Sequence, residues 1–329
     1  MITGQPFRIM NIRANRAKPG LMRQHLVAVQ AAAQVSDAQI GGAQTGGAEI
    51  GAPTLTFAPR AIRAGRYQLA IGTAGSCTLV LQTLILALLH ADGPSTVRIS
   101  GGTHNRLAPP AQSLQRAYLP LLERMGATVN IELLRSGFYP AGGGEVLAHI
   151  TPCARLQPLH LVERGARLAS YAEAFSAGIA RHIGESELQA IGTGMGWGAE
   201  QLRHHELPPD QGPGNAVLIT LEHEHVTEVF AAFGEKSVRA RTVAMGAVRQ
   251  ARGYIASQAA VGEHLADQLM LPLALAGGGS YTASTISGHA RTNADIIKLF
   301  LPVRFAFDQD DSVEGARYIV RCTGHAGRA

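Results

Sequence analysis

One histidine, His289, stands in "SGHARTNADIIKLF" (287–300) between a glycine and a run with helical spacing from Thr292, which reads as the N-cap. The pattern places His289 two or three residues before that helix. It is then either a packed residue at a helix entrance or a nucleophile within reach of a phosphate, and imidazole chemistry near neutral pH suits the second role. Other polar residues raise the same question. "GEHLADQLMLPLALAGGG" (262–279) sets Asp267 and Gln268 inside an otherwise apolar helix, and "GSCTLVLQTLILALLH" (75–90) does the same with Gln82. Polar groups in such helices need partners, which can be a buried network or a ligand. "IRANRAKPG" (12–20) gathers Arg13, Arg16 and Lys18 ahead of a helix, a pattern that fits either phosphate binding or a solvated basic loop.

Three further motifs carry less. "EHEH" (222–225) puts His223 and His225 on one face of a strand, but no third ligand lies nearby, so the expectation is an edge-strand pair and not a metal site. "GMGWGA" (194–199) matches a dinucleotide pattern but follows a helical segment, and the pattern needs a preceding strand. "GGTHNRLAPP" (101–110) and "GFYPAGGGE" (137–145) read as turns on either side of one helix.

The elements that must position these residues recur in order. Helix 21–35 precedes a glycine-rich stretch (41–52), read as a hairpin insertion, and the strand "TLTFAP". Strands at 66–72 and 95–102 flank the apolar helix 75–90, and helix 110–126 is followed by "TVNIELL" and "GEVLAHI". Helix 292–300 leads to "VRFAFDQ" and "ARYIVRC". Helix, strand, strand thus appears three times, which indicates an α/β protein of repeated units. Between 161 and 236 the pattern changes: "YAEAFSAGIARHIGESELQAIG" reads as helix and "NAVLITLEHEHVTEVFAAFG" as a long strand or hairpin. This segment is expected to be a small inserted α/β domain, with 1–160 and 237–329 forming the main domain.

Bulk composition narrows the class. The 329 residues are 46% hydrophobic and 16% charged, as in an ordinary globular protein. No run of about 18 apolar residues or secretory leader is legible, so a cytoplasmic protein without membrane spans is expected. Three scattered cysteines suggest neither a disulfide framework nor a zinc site. A net charge of +5, mostly from arginine, leans weakly toward a polyanionic partner.

Taken together, "MITGQPFRI", "RAKPGLMRQHL", "GTAGSCTLVLQT", "ADGPS", "GFYPAGGGE", "DQGPGN", "AAVGEHLADQL" and "GHARTN" resemble the RNA 3'-terminal phosphate cyclase family. The motifs run in family order from residue 1 to about 320. The resemblance implies three βαβαββ-type units, the first incomplete, plus a small inserted α/β domain. It implies ATP-dependent conversion of an RNA 3'-phosphate to a 2',3'-cyclic phosphate, with a divalent metal (Mg or Mn) and a covalent histidine–AMP intermediate. By the same resemblance His289 is the nucleophile, and Gln82, His264, Leu265, Ala266, Asp267 and Gln268 form the adenylate pocket. Arg13 and Arg16 would contact phosphates of ATP or of the RNA end.

Two departures stand out. His104 and Arg106 occupy a turn where the family has an aspartate and a proline. The family's glycine-rich loop, with the glutamate expected at the metal, precedes the segment matching Met1, so the metal ligand is unassigned. The expectation is a longer natural protein; the alternative is an inactive shortened form. Competing readings are a non-catalytic cyclase-like RNA-binding or ribosome-assembly protein and a carboxyvinyl-transferase-like enzyme.

Overall fold

The computed structural model describes residues 1–41, 48–313 and 315–324. The chain divides into two compact units, Met1–Ala111 with Ala127–Ala154, and Gln112–Gly126 with Arg155–Ala329.

In the first unit, Arg66–Ala70 pairs parallel with Ser95–Gly101, which pairs antiparallel with Gly144–Thr151, which in turn pairs antiparallel with Thr128–Arg135. The helix Cys77–Leu88 makes the parallel crossover, and its Val80, Leu81, Leu84, Ile85 and Leu88 are fully buried. Such a helix, apolar nearly all round, has no solvent face to offer and belongs in a core. Within the same unit Phe7–Ile9, Leu55–Ala58 and Gln39–Gly41 form a three-stranded antiparallel sheet, with the helix Arg23–Val35 between its first two strands in sequence. The glycine-rich stretch read as a hairpin lies partly outside the described residues, at 42–47; its stems pair antiparallel, Gln39 opposite Ala58.

In the second unit the same order returns. Leu159–Leu161 pairs parallel with Gly278–Ala283, then antiparallel follow Tyr318–Gly324 and Val303–Gln309. Strand for strand this matches the four-stranded sheet of the first unit, and the three-stranded sheet matches the last three strands of the pattern. The fold is therefore α/β and built from three copies of one unit, the first with three of its four strands.

A further sheet has the order Leu202–Leu207, Arg167–Ala177, Gly214–His223, Thr227–Phe233. Its Ala172, Ala174, Val217, Ile219 and Leu221 pack against Leu188, Ile191, Ala244, Ala247 and Val248 of the helices Arg181–Met195 and Ala240–Ser257. Here one expectation is corrected. "YAEAFSA" reads as helix because Ala and Glu are helix formers, yet it lies in the strand Arg167–Ala177, paired on both sides. Ladder bonds with two neighbours outweigh a local preference worth only tenths of a kcal/mol per residue. The helix begins at Arg181.

"EHEH" is corrected as well. The strand ends at His223, whose N–H donates to the Val226 carbonyl (3.0 Å) across the hairpin turn. His223 is buried and His225 lies in the exposed turn, so the two do not share a strand face. "GMGWGA" is a helix C-terminus, closed at Gly196 in the left-handed region (φ 71°). The turns at 101–110 and 137–145 meet: the Gly137 N–H donates to Thr103 Oγ1 (2.9 Å), and His104 stacks on Phe138 at 5.0 Å. No helix among the described residues is long and apolar enough to cross a membrane.

Candidate active site

His289 does not precede its helix. The helix is Gly288–Ile297, its N-cap is Ser287, and His289 is the second residue of the first turn. Ser287 wins the cap because its Oγ accepts from the Ala290 N–H at 3.0 Å. Thr292 sits inside the helix, where its hydroxyl donates back to the Gly288 carbonyl at 2.9 Å. The imidazole is exposed, and the N–H groups of Gly288 and His289 have no partner within the helix. An anion there meets free donors and the positive end of the helix dipole.

A second helix start lies beside the first. The Val261 N–H donates to the Thr282 carbonyl and the Ser284 N–H donates to the Val261 carbonyl, each at 3.0 Å. These bonds fix the beginning of Glu263–Ala276 against the end of Gly278–Ala283, the strand that feeds the His289 helix. Asn293 Nδ2 donates to the Asp267 carbonyl at 3.3 Å and ties the two helices together. The Tyr281 hydroxyl, buried, donates to the Ala266 carbonyl one residue earlier.

The electrostatics report the same proximity. Burial raises the Asp267 carboxyl to about 6; the charges of His264 and His289 pull it down, and Glu263 pushes it up. His289, His264 and Asp267 thus converge. Gln268 is half-buried, and Pro272 inside the helix leaves the Gln268 carbonyl without the N–H that would meet it four residues on. Leu265 and Ala266 are core residues, 3% and 1% exposed, so a ligand could reach them only through their backbone.

Gln82, Arg13 and Arg16 belong to the first unit. Gln82 is half-buried in Cys77–Leu88. Arg13 adopts φ 53° in a turn where the Arg16 N–H donates to its carbonyl at 3.0 Å. Burial, and secondarily the Arg13 charge, lowers the pKa of His25. Arg16 is exposed.

One residue of the second unit escaped the sequence reading. Glu228, 5% exposed on Thr227–Phe233, accepts from the Gly262 N–H at 2.5 Å and so holds the N-cap of the Glu263–Ala276 helix. Burial pushes its carboxyl up to about 7, against the hydrogen bonds from Gly262 and Val229. The signal was present: Glu228 falls on the same buried phase of its strand as Phe230. Glu228→Ala leaves the Gly262 N–H buried without an acceptor and should cost about 1–3 kcal/mol. Urea unfolding should show this loss, with a smaller one for Glu228→Gln.

No group of three or more His, Cys, Asp or Glu side chains able to hold a metal occurs among the described residues. Asp267 is the half-buried carboxylate on which the charges of both His264 and His289 act. A single carboxylate suits a cation held mainly by substrate phosphates and water, as Mg²⁺ commonly is, and does not make an all-protein cage.

Comparison with known proteins matches this chain to a family. Residues 1–307 match the family described as RNA 3'-terminal phosphate cyclase. A protein of that name from Pseudomonas fluorescens is 56% identical over 304 residues, 92% of this chain and 87% of the relative. Another from Ralstonia nicotianae is 55% identical over 316 residues, 95% of this chain and 89% of the relative. A third, from Pseudomonas aeruginosa, is 53% identical over 323 residues, 98% and 92% respectively. On this agreement of profile, relatives and repeated fold, the chain belongs to the RNA 3'-terminal phosphate cyclase family.

Proposed function

We propose that this chain uses ATP to convert an RNA 3'-phosphate end to a 2',3'-cyclic phosphate, with the adenylate carried on His289. The observation that carries the reading is the convergence of an exposed imidazole, a half-buried carboxylate and two helix N-termini within one unit. Free N–H groups there suit phosphate, and an imidazole lone pair can attack phosphorus near neutral pH.

A ring nitrogen of His289 forms the N–P bond to the α-phosphorus while the bond to pyrophosphate breaks. A terminal phosphate oxygen of the RNA then displaces His289 and takes the AMP. Finally the neighbouring 2'-OH attacks the RNA phosphorus, loses its proton and expels AMP, which closes the ring. Each step moves a phosphoryl or nucleotidyl group, so positioning and charge neutralisation do most of the catalysis. The Gly288 and His289 N–H groups hold phosphate oxygens, Asp267 orients the imidazole, and His264 and Gln268 contact the adenylate. Backbone of Leu265 and Ala266 adds to that pocket on the second unit, and Gln82, Arg13 and Arg16, on the first unit, are the residues that the family resemblance assigns to adenylate and to phosphates. A divalent cation, Mg or Mn, supplies charge neutralisation when bound. The same reading places the enzyme in the cytoplasm and treats 161–236 as an insertion in a main domain of 1–160 and 237–329. All four strands Arg167–Phe233 of one sheet fall inside that insertion, while the helix Ala240–Ser257 that packs on it lies beyond 236.

The test is an RNA oligonucleotide with a 3'-phosphate, incubated with the protein, ATP and Mg²⁺ or Mn²⁺. The expected product resists phosphatase and is a 2',3'-cyclic phosphate. The same oligonucleotide ending in a 2'-deoxynucleotide should accumulate as the adenylated end without cyclising, because it lacks the attacking hydroxyl. Cyclic product from the deoxy end would refute the last step. No turnover of the ribo end, with no label on the protein, would favour a non-catalytic RNA-binding role.

A further inference from the structure

The helix that carries His289 also forms one wall of a groove that the cyclisation chemistry leaves unused. Arg291, Ala294, Asp295 and Lys298 line it from the helix, and Arg304, Phe305 and Phe307 from the strand Val303–Gln309, around a cavity of about 650 Å³. That strand is the outer one of its sheet, so the groove opens along an edge and admits a chain end to end. The Arg291 guanidinium lies 5.8 Å from the centre of the Phe307 ring. Lys298 pairs with Asp295 at 2.6 Å, whereas Arg291 and Arg304 form no ion pair among the described residues. The groove therefore carries two uncompensated guanidinium groups beside two half-buried rings.

We infer that this groove binds the single-stranded RNA just upstream of the reacting 3' end, a proposal that rests on the cyclase reading above. Guanidinium groups suit phosphates, and phenylalanine faces accept unpaired bases whatever their sequence. The volume is that of a small-ligand pocket, roughly 300–1,000 Å³, which suits a nucleotide or two and excludes a duplex. Position sets how the chain must run. Ala294 and Lys298 lie five and nine residues beyond His289, roughly 7.5 and 13.5 Å along the axis, and at about 100° per residue Arg291, Ala294, Asp295 and Lys298 project from the side of the helix away from His289. A strand whose terminal phosphate sits at His289 therefore passes around the helix before its upstream nucleotides enter the groove.

Three measurements test this: labelling of the protein by α-labelled ATP, and cyclisation kinetics and fluorescence-anisotropy binding for 3'-phosphorylated RNAs of three and twelve nucleotides. Wild type should show a lower KM for the twelve-nucleotide RNA. Arg304→Gln, an exposed change, should raise that KM several-fold, and Arg291→Gln with Arg304→Gln about tenfold or more, leaving kcat and protein labelling by Arg304→Gln unchanged. The advantage of the longer RNA should shrink toward nothing, and each lost arginine should lower the salt slope of binding by about 0.7. Phe307→Leu, which keeps apolar bulk, should weaken binding without changing the salt slope. Unchanged binding and KM in the double variant would overturn the proposal. So would an equal loss for both lengths, because a groove for upstream nucleotides must discriminate between them. If wild type takes no label from ATP, the cyclase reading fails, while anisotropy still reports separately on the groove.

Discussion

His289→Ala should abolish labelling of the protein by α-labelled ATP, with a loss of at least about 10³-fold in the rate of adenylation, since no other group replaces a covalent nucleophile. The adduct on the wild-type protein should be acid-labile, as a nitrogen–phosphorus bond becomes once its nitrogen is protonated. Folding gives no competing explanation for the loss. His289 is exposed and accepts no structural role in the cap, which belongs to Ser287, so its truncation should change stability by no more than about 0.5 kcal/mol. Thermal unfolding of the variant should superpose on that of wild type. The chemistry also separates steps: RNA already adenylated at its 3'-phosphate should still cyclise on His289→Ala, because the 2'-OH attack does not use the imidazole. Labelling of His289→Ala would place the nucleophile elsewhere.

The residues of the site were legible one at a time; that they belong to one site came from the family resemblance and not from any local pattern. His289 stands out as a solitary histidine beside a glycine, and Asp267 as a charge in an apolar helix. What brings them together is the parallel pairing of Leu159–Leu161 with Gly278–Ala283 and the bonds of Val261 to Thr282 and Ser284. The first of those contacts joins stretches about 120 residues apart and the others stretches just over 20 apart, and no local periodicity encodes them. The cap was misplaced for a related reason: Thr292 and Ser287 are both good N-caps by residue type, and only the backbone geometry decides which hydroxyl meets an N–H three residues on. Helix and strand order survived well because it rests on burial patterns repeated over many residues. The strand Arg167–Ala177 was misread because its central position, not its composition, makes it a strand. Glu228 went unnoticed because its partner is a backbone N–H in another element.

Asp267→Asn should show which of two roles the half-buried carboxylate plays. Its pKa is raised from 3.8 to about 6, chiefly by burial, so the folded protein holds that proton more tightly than the unfolded chain does. Its contribution to stability is therefore complete below pH 3.8 and lost as pH rises past 6. After allowance for its partial exposure, ionised Asp267 costs the fold about 1–2 kcal/mol at pH 8. A structural carboxyl such as Glu228 can stay protonated, whereas one that orients an imidazole or offers charge to a cation must ionise to act. Protein adenylation by wild type should accordingly rise with pH through about 6. Asp267→Asn should remove that rise and lower the rate about 10²-fold or more, the size expected when a positioned acid–base partner is lost. Urea unfolding at pH 8 should find the same variant as stable as wild type or more so. The opposite pattern, a destabilised variant that keeps both its rate and the rise near pH 6, would assign Asp267 to the scaffold and the titration to another group.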